Sequence, residues 1–144
     1  MKRDGDTQRS RMLERIAACV LQAEGKRAAR VRVVCVTNRA IQKLNRTFRG
    51  KDVPTDVLSF DERPHGLLTD DKNFLGEVVV APAYIRAQAR EVGVPFTEEL
   101  VRMTIHGTLH LLGYDHEKTR DATRMFARQE IYVAQFTKKY SNTL

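Results

Sequence analysis

Residues 105–118, IHGTLHLLGYDHEK, hold three of the four histidines in a chain of 144 residues: His106, His110 and His116. His106 and His110 are four apart. On a helix that spacing sets them roughly 40° apart in azimuth and one turn apart in height, so both imidazoles can reach one point. This is the spacing of a two-histidine metal grip. His116 follows six residues later. On a continuing helix it would rotate off the shared face and climb roughly 9 Å further along the axis. A third ligand therefore requires the chain to stop and fold back. Gly113 stands where a helix C-terminus takes a residue with positive φ, and it supplies that reversal. Gly107 poses a separate question, because glycine inside a helix costs about 1 kcal/mol relative to alanine. Close approach by another backbone or by a substrate would account for it.

Three neutral imidazoles leave one coordination position open, the pattern of a catalytic zinc; a structural zinc takes a fourth protein ligand, usually cysteine. Neither Cys19 nor Cys35 is near the cluster in sequence, although a fold could bring one close. The competing reading, histidines that only pack or cap, fits one histidine better than three at HxxxHxxGxxH spacing. One Zn²⁺ ion is expected, with nickel or copper also suited to imidazole. Metzincin proteases share the spacing as HExxHxxGxxH, with the glutamate as general base. Here Gly107 occupies the glutamate position. A metzincin-like zinc helix is expected, but proteolysis is not supported.

These histidines need a scaffold. Apolar residues Met12, Leu13, Ile16, Val20 and Leu21 recur at helical spacing over residues 8–24. VRVVCV, residues 31–36, reads as a buried strand. Thr37 or Asn38 caps a helix to about residue 47, with Ile41 and Leu44 inward. A polar loop, RGKDVPT, precedes a short strand at 57–60. Residues 61–73 read as a hairpin or excursion, and GEVVVAP as another strand. Pro82 opens a helix to about residue 92 that Gly93 ends. Thr97 is expected to cap the histidine helix, residues 98–112, with Glu98 and Glu99 at the positive end of its dipole. A last helix spans 117–139. The sum is one α+β domain over residues 1–144, with a small mixed sheet of about four strands surrounded by helices.

Composition excludes several classes. Hydrophobic residues make up 42% and charged residues 30%, as in soluble globular proteins. The longest apolar runs fall far short of the roughly 20 residues that span a bilayer, and the charged start MKRDGDTQRSR lacks a signal-peptide core. Two cysteines in apolar surroundings, outside any CxxC pair, fit a reducing cytoplasm. The net charge of +7 is uneven: residues 1–50 hold 13 Lys/Arg against 4 Asp/Glu, while residues 51–100 hold 5 against 10. A basic first third suits a polyanion such as nucleic acid, or is simply a solvated basic helix.

HGTLHLLGYDH, together with LNRTFRGKDVPTDVLSF at 44–60 and LGEVVVAP at 75–82, resembles the YbeY family of bacterial ribosomal-RNA maturation factors. The resemblance implies a single-strand-specific, metal-dependent endoribonuclease that matures the 3′ end of 16S ribosomal RNA and serves ribosome quality control. It also implies ribosomal RNA, the ribosome or small-subunit proteins as partners, and no membrane. His106, His110 and His116 match the family's zinc ligands, and Arg49 in FRGKD matches an arginine implicated in its activity. The pattern departs at Asp61, where proline is common, and at Glu77, where aspartate is usual.

Arg49 also makes sense chemically. A guanidinium fork can clamp two phosphate oxygens and offset charge that builds during phosphoryl transfer. Pairing with Asp52 is the plainer alternative. Arg46 and Lys51 are candidates for tracking an RNA backbone. Asp56 is placed to brace its loop or to act directly. Asp115 is placed to orient a histidine or to make a turn, and His65 is an isolated loop histidine. The expected chemistry is metal-assisted phosphodiester cleavage with His106 and Arg49 as catalytic residues. Attack by water and attack by the RNA 2′-hydroxyl both stay open, and no general base is identified. Few aromatics and no tryptophan argue against a continuous base-stacking platform. Two rivals remain: a metallohydrolase acting on peptides or small molecules, and a non-catalytic ribosome-associated protein with a structural zinc.

Overall fold

Helix α1 (Asp4–Ala23) lays Leu13, Ile16, Ala17, Val20 and Leu21 along one stripe, all buried. The computed structural model describes residues 4–62, 73–114 and 119–140. Strand β1 (Arg30–Cys35) alternates exposed arginines with buried Val31, Val33 and Cys35. Helix α2 (Asn38–Arg49) is capped by Thr37, whose hydroxyl accepts the N–H of Ala40. Strands β2 (Val57–Asp61) and β3 (Phe74–Val80) follow, then helices α3 (Pro82–Val92), α4 (Phe96–Leu111) and α5 (Thr119–Tyr140). Among the described residues no helix is long and apolar enough to cross a membrane.

The sheet is mixed, in the order β1-β3-β2, with β3 parallel to β1 and antiparallel to β2. One face of it, Val31, Val33, Cys35, Val78 and Val80, joins α1, α4 and α5 in the main core. The other face, Leu58, Phe60 and Val79, packs on Ile41 and Leu44 of α2. The outer edge of β1 is closed by α1, because Ser10 Oγ accepts the N–H of Cys35 and Glu14 Oε1 that of Val33. This satisfies two backbone donors that an open edge would leave to another chain.

The described residues form three strands, where the sequence pattern predicts about four. A fourth would have to come from the excursion after β2, and residues 63–72 lie outside the described residues. Helix α4 starts earlier than expected: Pro95, in extended conformation, is its N-cap, and Thr97 sits inside the first turn. Glu98 and Glu99 still occupy that turn. Phe96 explains the shift, since it packs against the core and under the Arg86 guanidinium at 3.8 Å. Cys35 is buried and Cys19 half-buried, both as free thiols.

Two glycines set how closely these layers approach. Gly76 has φ 149°, and a Cβ there would stand 2.0 Å from the Phe60 carbonyl oxygen. It sits at the register irregularity between β1 and β3. Gly107, in the middle of α4, faces Val78: a Cβ there would be 2.7 Å from one Val78 methyl and 3.4 Å from Val57. The sequence reading expects a backbone or a substrate against Gly107; the neighbour is a side chain of the central strand. Glycine is kept because the helix lies directly on the sheet.

Gly107→Ala gains about 1 kcal/mol of helix propensity but overpacks a stiff β-branched neighbour, at a cost of about 1–3 kcal/mol. Net destabilisation of about 1 kcal/mol is expected, with a coupling of similar size between Gly107→Ala and Val78→Ala in a denaturant double-mutant cycle. Strict additivity of the two substitutions would show that this contact does not limit the approach.

Candidate metal centre

His106 and His110 lie on one side of α4 with ring centroids 4.8 Å apart and planes at 79°. Both are half-buried. The predicted pair is therefore brought together by helix geometry. His116 and its neighbour Asp115 lie outside the described residues, as does His65. Among the described residues no group of three metal-ligating side chains occurs.

The helix ends as its sequence predicts. The N–H of Gly113 (φ 102°) donates to the His110 carbonyl at 3.0 Å, and that of Tyr114 donates to the Leu109 carbonyl at 3.1 Å. This is the paired bonding of a Schellman turn. Tyr114 leaves the turn anchored: its hydroxyl donates to Glu24 Oε1 at 2.6 Å, and Tyr132 of α5 donates to Glu24 Oε2. Burial pushes the Glu24 carboxyl up, but the two phenols and the Arg128 charge outweigh it and hold the group below its ordinary value. Burial and the same contact push Tyr132 up to about 12. The chain beyond the histidine helix is thus tied to the end of α1.

Behind His106 lies a polar relay that the sequence reading missed. His106 Nδ1 is 2.8 Å from Gln129 Oε1 on α5. Gln129 Nε2 donates to Glu130 Oε2 at 3.2 Å. A carboxylate only accepts, so this bond fixes the amide with its oxygen toward the ring. In the neutral ring the proton therefore sits on Nδ1 and the lone pair on Nε2. Such a partner on the far nitrogen is what orients a metal-binding imidazole. The donor set fits a zinc-type ion: two imidazole rings, close together, one of them held by Gln129. Gln129 was detectable in principle. It is buried amid Met125, Tyr132, Val133 and Phe136, a polar residue on an otherwise apolar helical stripe.

Glu130 is itself held by Arg102, whose Nε and Nη2 donate to its two oxygens, each at 2.9 Å. Arg102 also reaches Glu99 at 2.8 Å and Glu98 at 3.2 Å, and Gln88 of α3 donates to the second Glu99 oxygen at 2.8 Å. The bond from Arg102 holds Glu130 below the usual carboxylate range against the opposing effect of burial. Arg102 is raised in turn, first by its bond to Glu130.

Arg49 ends α2 beside β2, an edge strand among the described residues. Its Nη2 donates to the Ser59 carbonyl at 2.9 Å, and its guanidinium lies 5.2 Å from the Phe60 ring centroid. Phe48, exposed, meets Phe60 edge-on at 5.3 Å. Asp52, the alternative partner of Arg49, accepts from Gln42 instead at 3.1 Å. Asn45 Nδ2 donates to the Val53 carbonyl, so the loop between α2 and β2 is pinned at both ends. Asp56 braces that loop, accepting from the N–H of Val57 at 2.7 Å and from Thr55 Oγ1 at 3.3 Å. Arg46 lines an exposed cleft of about 620 Å³ with Arg39 and Lys43. Lys51 is exposed beyond the end of α2.

The relay has a pH signature. Glu24 and Glu130 are held below their ordinary value of 4.5, so the stability they contribute is full above that pH. It is lost as pH falls through their lowered folded values. The thermal midpoint, followed by circular dichroism, should drop as pH falls below about 4.5, and Glu130→Gln should make the drop shallower. An equally steep acid limb in the variant would remove Glu130 from the account.

Comparison with known proteins agrees with the arrangement of loop, sheet and histidine helix. The family model described as endoribonuclease YbeY matches residues 2–137. An endoribonuclease YbeY of Chloroflexus aurantiacus is 41% identical over 133 residues, 88% of this chain and 86% of that one. That of Persephonella marina is 41% identical over 116 residues, 78% of this chain and 74% of that one. The solution structure of TM1509 from Thermotoga maritima superposes with a TM-score of 0.68 at 35% identity, covering 99% of this chain and 90% of that one. A match of this extent, over the sheet, the FRGKD loop and the histidine helix alike, places the chain in the endoribonuclease YbeY family.

Proposed function

We propose that this protein is a single-strand-specific, zinc-dependent endoribonuclease that acts in the cytoplasm on ribosomal RNA. Its role is maturation of the 16S 3′ end and ribosome quality control, in association with the ribosome or small-subunit proteins. Endoribonuclease is the activity in the names of its relatives. The observation that carries the reading is the pair His106 and His110, with His106 Nδ1 2.8 Å from Gln129 Oε1.

His106, His110 and His116 would hold the ion, which when bound supplies Lewis-acid stabilisation of charge on phosphoryl oxygen. The rest falls to the chain's own groups. Arg49 is anchored by the Ser59 carbonyl and laid against Phe60, so its fork is oriented before a phosphate arrives. Two of its N–H groups are engaged with the Ser59 and Phe48 carbonyls, and a guanidinium has five. The remainder can bind phosphate. Arg46 and Lys51 extend the positive charge along the RNA backbone.

Cleavage of single-stranded ribosomal RNA should be lost on chelation and restored by added zinc. Arg49→Ala should lower kcat/KM by about 10²-fold or more, and Arg49→Lys should recover only part, because a point charge does not reproduce the fork. Cleavage that survives thorough demetallation would refute zinc dependence. Gln129→Ala should weaken zinc binding by about 10- to 100-fold in a chelator competition, with helicity unchanged. Unaltered affinity would mean that the Gln129 bond does not tune the ligand.

A further inference from the structure

Four arginines of the basic first third are gathered, in the fold, at the edge of the sheet opposite Arg49. Arg11 and Arg15 of α1 and Arg30 and Arg32 of β1 line one cleft of about 480 Å³ with Phe74. Arg30 and Arg32 lie 5.9 and 5.8 Å from the Phe74 ring centroid. Among the described residues four arginines and one glutamate line this cleft. That glutamate is Glu14, and one of its oxygens accepts the Val33 N–H. Glu77 meets Arg32 at 3.6 Å, with Arg32 largely in solvent.

We propose that this cleft is a second RNA-binding site, separate from the cleavage site, that holds the phosphate backbone of a longer RNA. The choice of RNA rests on the endoribonuclease reading. The geometry adds two things. Two of the guanidinium groups lie within reach of the Phe74 ring, and a guanidinium fork suits bidentate phosphate contacts. The cleft and Arg49 sit on opposite edges of a three-stranded sheet, about 10 Å apart in strand spacings. The cross-strand row Arg32, Glu77, Phe60 runs between them, with the Arg49 guanidinium near Phe60. One continuous strand can therefore touch both. The site adds affinity and register for long substrates without touching the reacting bond.

The test uses the full chain carrying Arg11→Gln, Arg15→Gln and Arg32→Gln, with a matching triple lysine variant. None of the three belongs to the cleavage site. Binding of a labelled single-stranded ribosomal RNA fragment is followed by anisotropy in chelator, so that nothing is cut, across a range of salt. The glutamine variant should bind on the order of tenfold or more weakly at low salt, and its log–log salt slope should shrink by about 2, at about 0.7 per lost phosphate contact. The lysine variant should keep most of the slope. Cleavage of an oligonucleotide too short to reach the cleft should be unchanged. An unchanged affinity and slope would overturn the proposal. So would intact RNA binding with lost binding to a polyglutamate probe, which would assign the cleft to an acidic protein. Failure of the wild-type protein to cut the short oligonucleotide would instead sink the endoribonuclease reading, while the binding arm still decides the cleft.

Discussion

Direct contact between Gly107 and Val78 decides what helix α4 can do. With no side chain between them, the helix lies flat on the sheet. Residues flanking position 107 are then turned roughly 60–100° away from the sheet normal by helical geometry. His106 and His110 both fall on one such flank. One ring meets α5 through Gln129, and the two rings face each other. A side chain at 107 would lift the helix and move both imidazoles together. The same contact bears on chemistry. In metzincin-type helices this position carries the glutamate that moves protons. Here it points into Val78, so a carboxylate at 107 would be driven into the sheet. With glycine at 107 the chain supplies no such carboxylate at that position.

The second constraint is the charged relay behind His106. Arg102 gathers Glu98, Glu99 and Glu130 from two helices, and Gln88 ties in a third. Partly buried ion networks add little net stability, because desolvation offsets attraction. Their use here is orientation. Each member has one possible donor–acceptor assignment given its neighbour, and the chain of assignments ends at the tautomer of His106. The orientation of His106, a proposed metal ligand, is thus set by Arg102 through Glu130 and Gln129. The turn after α4 is fixed in a comparable way by two tyrosines that share Glu24.

Much of this was legible in the sequence because it is local. The i, i+4 histidines, Gly113 as helix stop, Thr37 as cap and Pro82 at a helix start each follow from rules spanning a turn or two. What the sequence hid is tertiary. Nothing near Gly107 in the chain says that Val78, twenty-nine residues upstream, will press on it. Gln129 is twenty-three residues from His106, and only its misfit polarity on an apolar stripe marked it. Thr97 looked like a cap because its composition is right; Phe96, needing burial, started the helix two residues sooner. Asp52 was a plausible mate for Arg49 by proximity along the chain, yet Gln42 takes it. The arginines at 11, 15, 30 and 32 read only as excess charge until the α1–β1 pairing put them in one cleft.

The central claim is that His106 and His110, completed by His116, hold one metal ion with imidazole nitrogens alone from the protein. X-ray absorption at the zinc edge, on protein loaded to equivalence and compared with each single histidine-to-alanine variant, tests it most directly. The account predicts one tightly held ion per chain, a nitrogen and oxygen shell showing imidazole scattering, and loss of that scattering component with each substitution. Sulfur in the shell, or a spectrum indifferent to His106 and His110, would contradict it.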